Sequence, residues 1–544
     1  MAPERMRSAR GWRASAPPLE GRADTWVAAP RSAIGINAVS GASDLAIRLV
    51  MLAACVGGGA VVGVAAAAKP KFGVALVLAI ALALVVLRRL EVGALILVTL
   101  VPILSGLKRG YPIPSFRITE LLTSAVAMMI FLLVRRVRAV PWTRVEWLMA
   151  AFCVGGLALG LLDARSLGQH MSFQEYGTLI GPFQFFLLFR SIRIALHSPR
   201  WRLLGLRVLL LSSVAVSMLA LLQQANVPKV RTFIYNMTGS DALTGTGSGY
   251  ASFARATGPF PHWTPLAGYL AVMLVVGMSL LLERDCQPLS RRWLYGVILL
   301  DAVALAFTAE LSAMIGLAIA VPLIGRLFGQ LRKVLRAALV ALLALGMVAG
   351  PYVASRISNE YTKMAGTNRS SVLPQTIEFR INIWDHQYFP AIAERPVTGY
   401  GTVIPSMVVW PATESQYVTI LERGGVILMA LYAVLMAGLA ATGLAIARST
   451  DDPLDRVTGY SVAVLVIILV PMDIVFPYFE DSGMPQALWA LIGIMLAGVR
   501  GPLPPIGLTR LLSRRSRGNL HPALDRDLID GELVAQPRQL SEQR

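Results

Sequence analysis

The chain is poor in charge and in thiols. Of its 544 residues only 15% are charged while 55% are hydrophobic, and the mean hydropathy is +0.62. That balance excludes an ordinary water-soluble enzyme, whose surface needs a larger polar share. Three cysteines occur, Cys55, Cys153 and Cys286, and none falls in a segment placed outside the cytoplasm below. Neither a disulfide framework nor a cysteine-based metal site follows. Also missing are a phosphate-binding P-loop, a dinucleotide glycine fingerprint, a nucleophile elbow and an HExxH zinc pair, so ATP-driven and zinc chemistry have no footing. The first 40 residues hold arginines and prolines but no apolar core leading to a cleavage site, and they do not read as a signal peptide.

What the chain does have is long apolar runs, such as Leu45 to Ala68 and Gly424 to Ala447. A bilayer takes roughly 20 apolar residues per helical span. The net charge of +19 resembles a nucleic-acid footprint in size but not in distribution. Arginines gather in short clusters between apolar runs: Arg88-Arg89, Arg135-Arg136 with Arg138, Arg190 with Arg193, Arg200 with Arg202, Arg291-Arg292, and Arg332-Lys333 with Arg336. This is the positive-inside pattern of a membrane protein, and nucleic acid is not an expected partner.

Reading the runs against these clusters predicts spans near 45–68, 72–87, 91–107, 118–134, 145–162, 173–189, 203–223, 263–282, 293–309, 311–328, 334–353, 414–447, 457–479 and 484–499. The expected fold is all-α, a polytopic integral membrane protein with about 12–14 transmembrane helices. Residues 1–44 are expected to form a disordered, Arg-rich cytoplasmic tail, 45–499 the membrane domain, and 500–544 a basic cytoplasmic tail. Two long connections, 224–262 and 354–413, fall outside, and long loops are where function tends to sit.

The second connection is expected to contain short helices. Ile377, Ile381, Trp384 and Tyr388 recur at helical spacing until Pro390 stops the pattern, and this stripe suits the membrane surface. Thr413 and Gln416 form a capping-box pattern that puts Glu414 at the first helical position. Residues 414–423 then either stand above the hydrocarbon or bend along the interface.

Some local patterns carry little. Gly245-Thr246-Gly247-Ser248-Gly249 lacks the lysine and strand-helix setting of a phosphate cradle and reads as a loop. The sequons at Asn236 and Asn368 are chance-level matches. Asp451-Asp452-Pro453-Leu454-Asp455 matches the DDxxD pattern that holds magnesium-diphosphate in membrane prenyltransferases. No second aspartate-rich run appears, and Pro453 suggests a turn, so a solvated cytoplasmic loop is the expectation.

The outward segments are more coherent. They comprise Arg255-Ala256-Thr257-Gly258-Pro259-Phe260-Pro261-His262, Phe379-Arg380-Ile381-Asn382-Ile383-Trp384, Glu394-Arg395-Pro396-Val397-Thr398-Gly399-Tyr400-Gly401, and Glu414-Ser415-Gln416-Tyr417 leading to Glu422-Arg423-Gly424-Gly425. In this order and topology they resemble the O-antigen ligase and polymerase superfamily of bacterial surface-polysaccharide assembly, over roughly residues 250–450.

The resemblance implies a glycosyltransferase of the bacterial inner membrane, and the arginine distribution puts both termini in the cytoplasm. Its donor would be an undecaprenyl-diphosphate-linked glycan, passed to a glycan or lipid acceptor on the periplasmic face. Inversion at the anomeric carbon is expected, with no metal, nucleotide sugar or other cofactor implied. A flippase and chain-length or export proteins are the expected partners. By the family pattern Arg255 and Arg380 take the diphosphate, which arginine binds bidentately. Glu414 takes the place where ligases of the family usually carry histidine, as base for the acceptor hydroxyl. That difference favours a polymerase over a lipid A ligase.

His262, Glu310, Trp384, His386, Arg395 and Tyr400 are supporting candidates. Where the family often has Ser-Arg after a Leu-Thr pair, this chain has Phe307-Thr308-Ala309-Glu310-Leu311-Ser312, so Glu310 is a candidate to reach Arg255 or Arg380. Each has a plainer alternative. The arginines also suit lipid-headgroup anchors, Glu414 an acidic first-turn residue, and Arg395 and Tyr400 the shaping of their turn. The rival function is transport, for which Asp301 and Asp473 are the main ionisable residues within spans, but no internal repeat accompanies them.

The topology is open to a direct check. Reporter tags fused after Thr238 and Ser358 are expected to report from outside, and tags after Arg292 and Arg448 from the cytoplasm. A cytoplasmic signal from Ser358 removes the basis for the site.

Overall fold

Apolar segments with no water around them must satisfy their backbone internally, and helices do so. The computed structural model describes residues 83–109, 117–132, 140–239, 255–365 and 373–499. Among them no strand occurs, and the protein is an all-α polytopic membrane protein. The elements are α1 (Leu90–Leu104), α2 (Ile118–Leu132), α3 (Arg144–Ser166), α4 (Phe173–Ala195), α5 (Pro199–Gln224), α6 (Val230–Thr238), α7 (Trp263–Leu282) and α8 (Arg291–Thr308). They continue with α9 (Leu311–Leu327), α10 (Leu331–Ala365), α11 (Gln375–Ile383), a π-turn (Trp384–Tyr388), α12 (Phe389–Glu394), α13 (Gln416–Ser449), α14 (Pro453–Val475) and α15 (Met484–Leu496). The tails 1–44 and 500–544, the expected span 45–68, most of the next, Cys55, Gly245 to Gly249 and Asn368 lie outside the described residues.

The spans expected from 91 onward coincide with helices. Among the described residues seven helices, α3, α4, α5, α7, α10, α13 and α14, are long and apolar enough to cross a membrane, while α1, α2, α9 and α15 are apolar but shorter. Helix α8 carries Arg291, Arg292 and Asp301 in its 18 residues. The centre of the bundle is α7, α14 and α15, and every residue of α15 is buried. Helices α13 and α14 cross where Gly443 and Gly459 meet, and a Cβ on either would lie 2.5–2.6 Å from the other's carbonyl oxygen. Small residues at such a crossing let two membrane helices approach closely. Helix α10 is the opposite case, with an apolar span almost wholly exposed outside the protein.

The arginine clusters are less peripheral than the positive-inside reading implies. Arg190 and Arg193 are buried and both grip Glu146, which also closes a capping box with Thr143 at the start of α3. Arg193 Nε donates to Leu496 O at 3.3 Å, and Arg202 Nε donates to Ile494 O at 3.1 Å. These cations therefore satisfy the last carbonyls of α15, where the helix dipole favours them. The DDxxD run is structural rather than a solvated loop. Asp452 Oδ1 accepts from Leu454 N at 2.9 Å as the N-cap of α14, and Asp455 pairs with Arg202.

Three local expectations are corrected. Helix α10 runs to Ala365 rather than ending near 353, because its last turns stay helical after apolarity ceases. Pro390 does not stop the helix of the long connection. It sits in the first turn of α12, where a missing N–H costs little, and the wider π-turn, closed by Phe389 N–H to Trp384 O, accommodates it. The π-turn also changes the helical phase, so Ile383, Tyr388 and Ala391 are buried while Ile377 and Ile381 are exposed. Lastly, the capping box at Thr413 does not form. Helix α13 starts at Gln416 behind Ser415, and Glu414 precedes it with a left-handed φ of 56°.

Helix α13 breaks at Gly425, whose φ of 56° and ψ of −157° suit only glycine. The break frees backbone groups that the turn after Arg395 takes up. Tyr400 N donates to Glu422 O at 2.7 Å, Gly401 N to Arg423 O at 3.0 Å, and Val426 N to Pro396 O at 2.9 Å. A Cβ on Gly425 would lie 2.3 Å from the Val397 carbonyl, and one on Gly399 2.4 Å from Glu422 O. Gly425→Ala is thus expected to destabilise the protein by at least the ~1–3 kcal/mol of a strained backbone, read as thermal unfolding in detergent. Gly346→Ala, whose Cβ meets nothing within 4 Å, is the control and should match wild type. Equal unfolding temperatures for all three proteins would show that the break is not fixed by this contact.

Candidate active site

Helix α8 turns into α9 within two residues, and Ala309 takes a left-handed φ of 46° to do so. That leaves the last carbonyls of α8 without helical partners. Arg255 supplies them: its Nε donates to Thr308 O at 2.6 Å and its Nη2 to Ala309 O at 2.5 Å. The same Nη2 lies 3.1 Å from Glu310 Oε2, and the guanidinium stands 4.1 Å over the Trp263 ring. Burial lowers the Arg255 pKa to about 10, opposed by Glu310 and assisted by Arg356, so it remains a cation at neutral pH.

Glu310 accepts from Arg255, from Thr264 Oγ1 at 3.2 Å and from Ser312 Oγ at 2.8 Å. Burial alone would raise its pKa, but Arg255 above all, then the Ser312 hydrogen bond, His262 and Arg380, hold it below the usual carboxylate value. Glu310 therefore reaches Arg255 directly and Arg380 through its field. His262 caps α7, with Nδ1 3.0 Å from Thr264 Oγ1, and packs between Trp263 and Phe476. Burial first, then the charges of Arg255 and Arg380, lower its pKa to about 3 against the pull of Glu310. It is neutral at every physiological pH.

Across from this cluster, Arg380 Nη2 lies 3.2 Å from Glu414 Oε2, with both side chains between a fifth and a quarter exposed. Arg380 Nε is buried and has no hydrogen-bond partner among the described residues. The left-handed backbone at Glu414 is held from both sides. Trp384 Nε1 donates to Thr413 O at 2.6 Å, Thr413 Oγ1 meets Thr419 Oγ1, and Ser415 Oγ donates to Asp473 O at 3.2 Å. A non-glycine residue held at such an angle costs about 1–3 kcal/mol and is found where the surroundings over-determine it.

The remaining candidates separate. His386 is exposed, with Nδ1 3.0 Å from Asn382 O. Arg395 reaches Asp163 at 3.4 Å and Ser166 at 3.1 Å on α3, and lies over the Tyr400 ring, whose hydroxyl donates to Glu394 at 2.7 Å. These residues tie the glycine turn to α3. Asp301 accepts from Ser213 at 2.7 Å and Ser217 at 2.6 Å, and Asp473 accepts from Tyr432 at 2.5 Å, so both intramembrane aspartates join helices.

The sequence reading missed two contributors. Tyr352 donates to Phe307 O at 3.0 Å from the end of α10 that also brings Arg356 into range. The segment 476–483, expected to be partly span, places Tyr478 Oη 2.6 Å from Ser312 Oγ. Pro477, inside the expected span 457–479, was the available signal of a break.

Against known proteins, residues 296–433 match the family model described as O-antigen ligase. The match runs from α8 through the break in α13 and takes in Glu310, Arg380, Glu414 and Gly424-Gly425, while Arg255 and His262 precede it. None of the curated proteins compared matches the chain. The resemblance to the ligase and polymerase superfamily is borne out over that stretch.

The geometry separates the two arginines. Arg255→Lys cannot span Thr308 O, Ala309 O and Glu310 together and leaves buried carbonyls unpaired, which costs about 1–3 kcal/mol. The expected result is lower folded yield and a lower unfolding temperature, measured by fluorescence-detected size exclusion and heating. Arg380→Lys should leave both unchanged.

Proposed function

We propose that the protein is a glycosyltransferase that joins undecaprenyl-diphosphate-linked oligosaccharide units on the periplasmic face of the bacterial inner membrane. The observation that carries this reading is the Arg380–Glu414 pair. A guanidinium with donors to spare stands beside a carboxylate whose backbone is fixed in a strained conformation.

The chemistry asks for those two groups. A diphosphate is already a weakly basic leaving group, so it needs its growing charge stabilised rather than a proton. Arg380 meets it with a planar fork, which releases Glu414 from its ion pair toward the acceptor. Glu414 takes the proton from the acceptor hydroxyl as that oxygen bonds to the anomeric carbon. The bond from that carbon to the phosphate oxygen breaks, and undecaprenyl diphosphate leaves with the electron pair. Attack opposite the leaving group inverts the anomeric centre. Arg255 acts from behind, fixing the α8–α9 corner and adding positive field, while neutral His262 contributes a wall and a cap rather than a titrating base.

Polymerase is favoured over transfer to a lipid acceptor because Glu414 stands where the family's ligases usually carry histidine. Transport has less support, since both carboxylate oxygens of Asp301 are taken up by hydrogen bonds between helices and Asp473 is tied to Tyr432.

The test separates the two groups. Glu414→Gln keeps size but cannot accept a proton, so turnover should fall roughly a hundredfold or more with donor affinity retained. Arg380→Lys keeps the charge but loses the fork, so donor affinity and turnover should fall together. Wild-type polymer synthesis by Glu414→Gln would reduce the carboxylate to a partner of Arg380.

A further inference from the structure

Not every arginine cluster is spent inside the protein. Arg190 and Arg193 are buried on Glu146, and Arg202 pairs with Asp455. Arg291 and Arg292 at the start of α8, Arg326 at the end of α9, and Arg332, Lys333 and Arg336 at the start of α10 are exposed instead. Among the described residues no carboxylate pairs with any of the six. Helix α10 packs on both α8 and α9, and short turns join the three, so these cations gather at one end of the bundle. It is the end that the arginine distribution assigns to the cytoplasm.

Acid is scarce there. The sequence holds no aspartate or glutamate from 286 to 300 or from 318 to 358. Glu283 is taken by Arg456 at 2.9 Å, which leaves exposed Asp285, beside Arg284, as the nearest carboxylate along the chain.

The cations stand at the head of apolar ridges. On α10, Arg332, Arg336, Val340, Leu343 and Met347 follow at four, four, three and four residues and so share a face. Val340, Leu343 and Met347 are 68%, 63% and 80% exposed, so that face meets lipid and not protein. Arg292, Tyr295 and Leu299 repeat the pattern on α8, with exposed Trp293 at the level that suits a headgroup. On α9, Arg326 stands beyond exposed Ile319, Ile315 and Leu311. An acidic protein segment would match the cations alone. An anionic headgroup with acyl chains matches the cations and the ridges together.

We propose that the cytoplasmic ends of α8, α9 and α10 bind an acidic phospholipid of the inner leaflet, its phosphate on the cations and its acyl chains along α10. A lipid held there fastens a helix that the protein itself barely covers, and whose far end brings Tyr352 to the carbonyl of Phe307. The assignment does not depend on the transfer reaction.

The experiment titrates the full chain in detergent with phosphatidylglycerol and, separately, with phosphatidylcholine, and counts bound lipid by native mass spectrometry. Wild type is expected to hold phosphatidylglycerol the more tightly; equal retention of the two overturns the site without any variant. Arg332→Gln, Lys333→Gln and Arg336→Gln together should weaken phosphatidylglycerol binding about a hundredfold, at the usual increment per cation, and leave phosphatidylcholine unchanged. Because that variant also removes a topological signal, Arg332→Lys with Arg336→Lys is the companion: it keeps the charge, and it should keep the lipid. Arg88→Gln with Arg89→Gln removes two exposed cations ahead of α1 and should leave binding as in wild type. An equal loss in that pair would mean a diffuse surface field, with no site at α10. Excess polyglutamate offers charge without acyl chains, and displacement of phosphatidylglycerol by it would mark the patch as one for acidic protein and overturn the lipid assignment.

Discussion

The structure of the site depends on an exchange of backbone hydrogen bonds between the turn after Arg395 and the break in α13. A helix broken inside a protein leaves amides and carbonyls that water cannot reach, and each must be answered. Here Tyr400, Gly401 and Pro396 answer those of Glu422, Arg423 and Val426. The two glycine-bearing segments are thus one unit. Arg423, fixed by that unit, holds Glu480, and the same segment sends Tyr478 to Ser312 and so to Glu310 and Arg255. The bonds form a connected path from the glycine turn to the α8–α9 corner.

The two arginines that look alike in sequence do different work because their surroundings differ. Arg255 lies at the end of a helix whose carbonyls need donors, and its fork is used there. Arg380 stands on a short helix, paired with the Glu414 carboxylate, and its buried Nε has no partner among the described residues. Preorganisation of this kind is what a site needs to stabilise charge on a leaving group without moving at the moment of reaction.

The spans were legible because twenty apolar residues in a row have few other places to go, and α7 was placed to the residue. The helix ends were less so. Polarity past residue 353 reads as the start of a loop, yet α10 continues, since helix propensity does not require apolarity. Thr413 and Gln416 have the spacing of a capping box, but Thr413 bonds Thr419 and Ser415 instead, and the contact of Ser415 with α14 is invisible from local sequence. The pairing of Arg380 with Glu414 joins residues 34 apart and that of Arg423 with Glu480 residues 57 apart. Family resemblance grouped the first pair in one site; nothing in the local pattern joined the second, and the segment just before Glu480, residues 476–479, read as span.

Helix α10 makes the site answerable to the thickness of the membrane. From Leu331 to Tyr352 the helix rises about 32 Å at 1.5 Å per residue, close to the ~30 Å of a hydrocarbon core. On a span of that length Tyr352 and the Arg356 that follows it would fall near one interface. Its apolar span is exposed along nearly its whole length, so a mismatch with the bilayer is met by tilting it against α8 and α9, the helices it packs on. A thinner bilayer tilts such a helix and a thicker one straightens it, and either motion is delivered at Tyr352 to the carbonyl of Phe307, one residue from where Arg255 closes helix α8.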